Sequence, residues 1–510
     1  MAKIIGIDAR DAPQAERMQA WQECRDCYAG AAKVKERGNG ETYLPRPSGH
    51  DDQDYANYLA RAYFVNWMAR TASAMVGMVF RIPPRIEPQI DNPEDIGAKL
   101  MNDMSRNGMS AKQVAELVFR ETVKVRYGGV LVDQPALTVL PSTRSEEQAL
   151  GVRPFASWYD AEDILETSFD RDATGARKLS LVRLHETVSM RKPTETNPYA
   201  KATQERVRVL ELVEGIYKQT LWRKVAVGEE VEWIADDPVT PLRGREPMSE
   251  IPFRIFPYHQ EEIELPALHP LCEVNLAHYR NQADREWGGH WQGLPTLFGM
   301  WKLPQGEKQP EIRLGGTALN HINTPDAKVE TVHFDGGLPT LEALTRDKAI
   351  DAAMLGMRML APEKRAAEAA ETEGIRRAGE VGILQADANA ASGGLTWVLR
   401  QMFLWAGLET QAEQVNVALN TDFIASMLSP QMVQQLGEQL EAGRITYEMY
   451  LDAMMRGEVV RSDEDLAGIK TQLAAERRER DDAGLEGFAP PTMGPIREVL
   501  KVVPEEDDVA

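Results

Sequence analysis

Two stretches of helical periodicity, similar in length, enclose a short β-patterned segment. That arrangement restricts the middle of this chain more than any other feature. Residues 266–292 (PALHPLCEVNLAHYRNQADREWGGHWQ) place Leu271, Val274/Asn275, Ala277/His278 and Trp287/Trp291 on a mostly one-sided stripe, with Pro270 near the first turn, where its missing N–H does no harm. Residues 339–360 form a second helical stretch, and Thr340 with Glu342 nearby suggests a capping-box start. Between them, residues 294–335 are turn-rich, with strand candidates PTLFGMW, EIRLGG, ALNHI and KVETVHF, and Gly336-Gly337 closes the run. If the two helices pack antiparallel, the insert becomes a small lobe at the far end of a rod.

The flanking sequence implies more than one packed unit, since a single core rarely grows past roughly 250–300 residues and the chain has 510. A short helix is predicted near 13–32, followed by turns at Arg37–Gly40 and Pro45–Gly49. One helix is predicted from Asp54 to Phe80, stopped by Pro83 and Pro84. Another covers 110–127, with Ser110 as N-cap and Gly128 as its stop. From Gly129 to about 260 the period changes to two, and VLVDQP, RPFASWY, ARKLSLVRLHETVSM, RVRVLELVEGIYKQTLWRKV and VEWIADDP read as strands and hairpins. Residues 361–377 are rich in alanine and charge, and helix then runs from about 378 to 407. Val415–Val417 reads as a strand, with helices following at 429–442, 446–456 and 462–481. The tail from Gly487 is Pro-rich, ends acidic and reads as loosely ordered. The expected class is α+β, predominantly helical, without internal repeats.

The formal charge is −21. A free duplex-DNA binder usually carries a basic surface, because phosphate neutralisation supplies its affinity. An acidic total fits either a solubility charge or a surface that lets DNA pass without holding it. Cys24, Cys27 and Cys272 are an odd, low count that argues for a reducing compartment. Cys24 and Cys27 make a CxxC, but no second ligand pair for zinc follows, so they read as two incidental thiols. The start of the chain has no signal-type apolar run, and no stretch of about 18 apolar residues implies a membrane span. There is no Walker loop, dinucleotide fingerprint or GxSxG, and His185-Glu186 lacks the histidine three residues on that a zincin needs. The carboxylates show no nuclease arrangement. The chain therefore reads as no enzyme, with no catalytic residue, cofactor or metal. Trp287, Trp291 and Trp301 bracket the junction of helix and insert; packing is the simpler reading, and subunit or partner contact the sharper one. Lys364, Arg365, Arg376 and Arg377 around the Ala-rich segment, and Lys302, Lys308 and Arg313 in the insert, are solvated by default. Facing a channel, they are the charges that could touch phosphate.

Five segments, in order, resemble phage portal proteins, notably a subgroup known only as an uncharacterised phage domain family. They are YLPRP…YANYLARAYFVNWMARTASAMVGMVFRIPP (43–84), RPFASWYDAEDIL (153–165), LCEVNLAHYRNQADREWGGHWQGLPTLFG (271–299), KVETVHFDGGLPTLEALTRDKAIDAAMLGMRMLAPE (328–363) and LNTDFIASMLSPQMVQQLGEQLEAGRITYEMYLDAMMRGEVV (419–460). No single one is a catalytic signature; the ordered set carries the resemblance. It implies an N-terminal extension (1–50), a wing (51–265), a first stem helix (266–293), a clip (294–337) and a second stem helix (338–360). A tunnel loop (361–376), a long helix returning to the wing (377–424), a helical crown (425–486) and the C-terminal tail (487–510) follow. The short tail departs from portals that carry a long coiled C-terminal barrel.

The resemblance further implies a dodecameric ring at one capsid vertex of the virion, assembled in the host cytoplasm. Double-stranded DNA would pass through it during packaging and ejection. The terminase large subunit and then a head–tail adaptor would dock on it, with the major capsid protein and a scaffolding protein as further partners and no membrane. On this reading Lys364, Arg365, Arg376 and Arg377 face the channel, Trp301, Lys302, Lys308 and Arg313 dock partners at the clip, and Trp287 and Trp291 lie at stem or subunit contacts. The alternatives are another phage head–tail ring or minor head protein and, less favoured, a metal-dependent nuclease, which would need carboxylates closing around Mg²⁺.

Overall fold

The structure, a computed structural model, describes residues 6–90, 92–135, 151–171, 174–192, 197–227, 230–257, 262–293, 296–300, 328–332, 337–357, 370–423 and 430–446, with Met449, Tyr450, Ala453 and Met454. The chain is α+β and divides into a unit of residues 1–423 and a second of residues 424–510.

The first unit begins with α1 (Ala12–Ala29), which has Pro13 in its first turn and buries Trp21, Cys24 and Cys27. Trp21 stacks flat on Tyr127, with centroids 5.4 Å apart. The same helix carries a buried carboxylate, Asp26, which accepts from the Arg37 guanidinium at 2.8 and 2.9 Å and from the Tyr43 hydroxyl at 2.8 Å. Those bonds compensate its burial and hold α2 (Ala31–Glu36) and the turn after it against α1.

The single helix expected over Asp54–Phe80 is instead two, α3 (Asp52–Arg61) and α4 (Trp67–Phe80), with extended chain between. The cause is tertiary. Asn66 caps α4 by accepting from the Ala69 N–H at 2.8 Å and donates to the Tyr28 carbonyl. Asn275, fully buried and more than 200 residues away, accepts from the Trp67 and Met68 N–H groups at 3.2 and 3.4 Å and donates to the Val65 carbonyl at 2.8 Å. These bonds satisfy the backbone that an unbroken helix would have satisfied internally.

The next long helix, α6 (Ala111–Val125), follows the short strand β1 (Arg85–Glu87) and α5 (Ile96–Asn102). It starts as expected: Ser110 and Gln113 form a reciprocal capping box. It does not stop on Gly128. Arg126 takes the left-handed conformation at φ 54°, and its guanidinium binds Glu264 at 2.7 Å and Asp387 at 2.9 Å. Gly128 opens β2 (Gly128–Asp133) instead, under the Trp158 ring where a Cβ would stand only 2.3 Å from it.

Strands β2, β3 (Phe155–Asp160) and β11 (Phe253–Phe256) form an antiparallel sheet in the order β11-β2-β3. Central β2 is buried almost throughout and lies in the main core. A five-stranded antiparallel meander follows, made of β4 (Ile164–Arg171), β5 (Arg177–Arg191), β6 (Lys201–Val213), β7 (Ile216–Val227) and β8 (Glu230–Ala235). Strand β4 is absent from the sequence reading, because its acid-rich text lacks the alternation of its neighbours. The meander buries only a small cluster of its own, with Ile7, Leu165, Val207, Val209 and Trp222 at its centre. Two short strands, β9 (Leu242–Arg243) and β10 (Glu246–Pro247), pair with each other before β11.

The main core gathers α1, α4, α6 and the first sheet around two further helices, α7 (His269–Gly293) and α9 (Ala370–Trp405). Each fully buried Leu, Phe or Met there adds roughly 1.5–3 kcal/mol. After α9 come α10 (Glu409–Gln414) and β14 (Asn416–Ala418), which pairs antiparallel with β1 and so closes the last part of the first unit onto residues 85–87.

In the second unit, α11 spans Pro430–Glu441, close to the expected 429–442. Met449, Tyr450, Ala453 and Met454 are helical within the expected 446–456. The helix expected at 462–481 and the tail lie outside the described residues. No helix among the described residues is long and apolar enough to cross a membrane.

Candidate functional site

The enclosed segment identified first in the sequence is built from α7, two short strands and α8 (Leu338–Ala352). Helix α7 has 25 residues, hence a length of about 37 Å at 1.5 Å per residue. It has two halves. From His269 to Ala283 it contributes Leu271, Cys272, Asn275, Leu276, His278, Tyr279 and Gln282 to the interior. From Asp284 to His290 no residue is fully buried. The helix is thus rooted in the core at its N-terminal half and leaves it in its second half.

Several contacts hold that root. Glu23 on α1 bonds the His269 ring at 2.9 Å. All three cysteines meet in the same seam: Cys24, Cys27 and Cys272 are buried free thiols, and Cys272 Sγ donates to Cys24 Sγ at 3.5 Å. Hydrogen bonding to the Cys24 and Cys27 sulfurs, and then burial, push the Cys272 thiol far up, so it stays protonated. The reading of Cys24 and Cys27 as incidental misses this convergence, because the third thiol is remote in sequence. Among the described residues, no group of three or more His, Cys, Asp or Glu side chains is arranged to hold a metal ion.

His278 packs against the Trp67 ring at 4.4 Å between centroids. Its pKa is lowered to about 4, first by burial and then by the nearby cations Arg285 and Lys348. The ring is therefore neutral at pH 7. Further along, Tyr58 donates to Asp284 at 2.6 Å, and its ring meets Trp287 edge-on at 5.7 Å. His50 and His290 complete this aromatic group, with centroids 5.5 and 6.1 Å from Trp287. Trp287 is thus half-buried against its own chain. That satisfies the simpler packing reading and anchors the projecting half of α7. Trp291 is in the last turn of α7.

Helix α8 returns antiparallel beside α7, and two glycines show it. Gly288, near the C-terminal end of α7, faces Leu338 at the start of α8, where a Cβ would stand 3.2 Å from the leucine side chain. At the other end the chain enters a π-helical turn, Ala353–Met357, in which Gly356 faces Leu271 and Thr71. A Cβ there would stand 2.8 and 2.9 Å from those side chains. The expected capping box of Thr340 and Glu342 does not form: α8 starts earlier, at Leu338, after Gly337 at φ 105°. Its end is also earlier than expected, at Ala352 before the π turn.

Between the helices, β12 (Thr296–Met300) pairs antiparallel with β13 (Lys328–Val332), from Thr296↔Val332 to Met300↔Lys328. The insert therefore begins and ends as a β ribbon continuing from the free ends of the two helices. Trp301, Lys302, Lys308 and Arg313 lie outside the described residues, as do Lys364 and Arg365. Arg376 and Arg377 lie in the second turn of α9, which starts at Ala370 rather than near 378. Residues 370–376, placed by the resemblance in a loop, are helical. Alanine at 370 and 378 and glutamate at 371 and 373 favour that extension enough to offset Gly374.

A family model described as Domain of unknown function (DUF4055) matches residues 267–406, which run from the root of α7 to the end of α9. No curated protein matches the chain. Among solved structures, the chain is similar to one in the virion of a native gene transfer agent (GTA) particle, at 11% identity over 79% of this chain and 91% of that one, with a TM-score of 0.33. A chain in the neck of an empty GTA particle computed with C6 symmetry gives 10% identity over 79% and 93%, with a TM-score of 0.34. One in the neck of a native GTA particle computed with C12 symmetry gives 11% over 82% and 97%, with a TM-score of 0.35. Scores at this level do not establish a common architecture.

Two outcomes follow from the packing of α7. Gly356→Val should cost about 1–3 kcal/mol, because the new side chain overfills the contact with Leu271 and Thr71. Denaturant unfolding would show it, and an unchanged midpoint would mean the π turn does not press on α7. His278 binds its proton less readily in the folded chain (about 4) than at its ordinary 6.5. The unfolded state therefore takes up more protons between those values, and stability falls as pH drops from about 6.5 towards 4. Urea melts of wild type and His278→Phe at pH 7.5 and 4.5 would test this, with a shallower pH slope expected in the variant.

Proposed function

We propose that this chain is the portal subunit of a tailed bacteriophage, a ring component through which double-stranded DNA is packaged and ejected. The observation that best supports this reading is the antiparallel α7–α8 shaft, rooted in the core at one end and continuing into the β12–β13 pair at the other. It coincides with the stem–clip–stem order implied by the five resembling segments.

In a closed ring each subunit offers its neighbour two different surfaces, and the shaft is the element that lines the axis. A dodecamer at −21 per chain carries about −250 formal charges. Such a wall opposes lasting phosphate contact, and DNA slides along it. Arg376 and Arg377, with Lys364 and Arg365, supply a sparse basic ring near the constriction. Trp301, Lys302, Lys308 and Arg313 dock the terminase large subunit at the clip and later a head–tail adaptor. The ATP that drives packaging is hydrolysed by the terminase.

Purified protein should assemble to a particle of twelve times the 57.0 kDa chain mass, measured by light scattering. A species that stays monomeric at every concentration would contradict the reading. Charge reversal of Lys364, Arg365, Arg376 and Arg377 together should leave assembly intact and lower the amount of DNA packaged or retained. Unaltered packaging would remove these four from the channel wall.

A further inference from the structure

The five-stranded meander does not keep its width. Pairing of β4 with β5 ends at Leu184, and pairing of β6 with β7 ends at Arg206↔Arg223. Beyond these points β5 and β6 continue with only each other, through Thr187↔Glu205, Val188↔Gln204, Ser189↔Thr203, Met190↔Ala202 and Arg191↔Lys201. This two-stranded ribbon is about 17 Å long at 3.4 Å per residue. Its end is held by Lys192 N–H donating to the Ala200 carbonyl at 2.8 Å and by Ala200 N–H donating to the Asn197 carbonyl at 3.2 Å.

Much of the ribbon is open to solvent, with Val188, Ala202 and Gln204 half-buried. Thr187, Ser189, Met190, Arg191, Lys201 and Thr203 are all exposed. A lone two-stranded ribbon is marginal in water, and here it also presents large apolar groups, with Met190 43% and Tyr199 76% exposed. The Arg191 guanidinium lies over the Tyr199 ring, 5.7 Å from its centroid. Its charge is opposite to that of the chain. Over residues 187–205 the sequence carries Arg191, Lys192 and Lys201 against Glu195 and Glu205, and Glu205 is already engaged by Lys224. The whole chain carries −21.

We infer that this ribbon is an arm that docks on the acidic surface of a neighbouring copy of the same chain. The inference rests on the ring reading above. A ring closes through contacts in which one patch meets a different patch, and a basic arm on an acidic subunit provides such a pair. Tyrosine, methionine and arginine are the side chains that interface cores favour. The alternative partner, DNA, would gain little from Met190 and Tyr199, and three cations are few for a phosphate-binding surface.

The test uses the full-length chain with Arg191→Glu/Lys201→Glu and, separately, Tyr199→Asp. Arg171→Glu, at the end of β4 and the opposite end of the same sheet, is the control. Both ribbon variants should melt like wild type yet lower the yield of assembled particles by on the order of tenfold at moderate salt. The control should assemble normally. In assembled wild type with p-benzoylphenylalanine in place of Tyr199, irradiation should join chain to chain at an acidic segment of the neighbour. Variants that assemble normally, or a crosslink formed only to added duplex DNA, would overturn the arm while leaving the ring reading standing. Wild-type protein that never assembles would sink both.

Discussion

The shaft depends on how closely two helices can approach, and that is set where side chains are missing. Gly288 and Gly356 lie at opposite ends of the α7–α8 contact, each facing a large side chain of the other segment or of the core. Their positions fix the antiparallel sense and keep the helices close along the whole contact. The core half of α7 is held in turn by Asn275, which satisfies three backbone groups in the break between α3 and α4. The projecting half thus inherits a defined direction from buried hydrogen bonds, and the β12–β13 pair inherits its position from the helix ends.

What was legible in the sequence was local. Ser110 and Gln113 announce the start of α6 through chemistry contained within four residues, and the period-two runs between Gly129 and 235 announce the hairpins. The helix–strand–strand–helix order around the insert was visible because each element carries its own periodicity. What escaped depends on distant partners. The break between Asp54 and Phe80 rests on Asn66, a capping residue that the reading passed over, and on Asn275, which nothing local reveals. The three thiols converge only once α1 packs on α7. Arg126 rather than Gly128 ends α6 because two carboxylates, Glu264 and Asp387, wait for its side chain there. At the candidate site, the partners of Trp287, His50 and Tyr58, come from a loop and a separate helix that no spacing rule connects to it.

Charge and shape give the proposed function one consistent physical basis. An acidic total suits the proposed passage of DNA better than DNA held fast, and individual cations would then matter by position. Of those around the Ala-rich segment, Arg376 and Arg377 lie in the second turn of α9. Those at the end of the β5–β6 ribbon stand on an element that is largely solvent-exposed. Under the proposed ring reading, the first group would face the axis and the second would reach across to a neighbour.

The most direct measurement is electron microscopy of the purified chain with averaging of end and side views. The account predicts rings of roughly twelvefold symmetry, with a central hole walled by α7 and α8 and the β12–β13 lobe at the narrow end. Particles without an axial opening, or rings in which these two helices face outward, would contradict it.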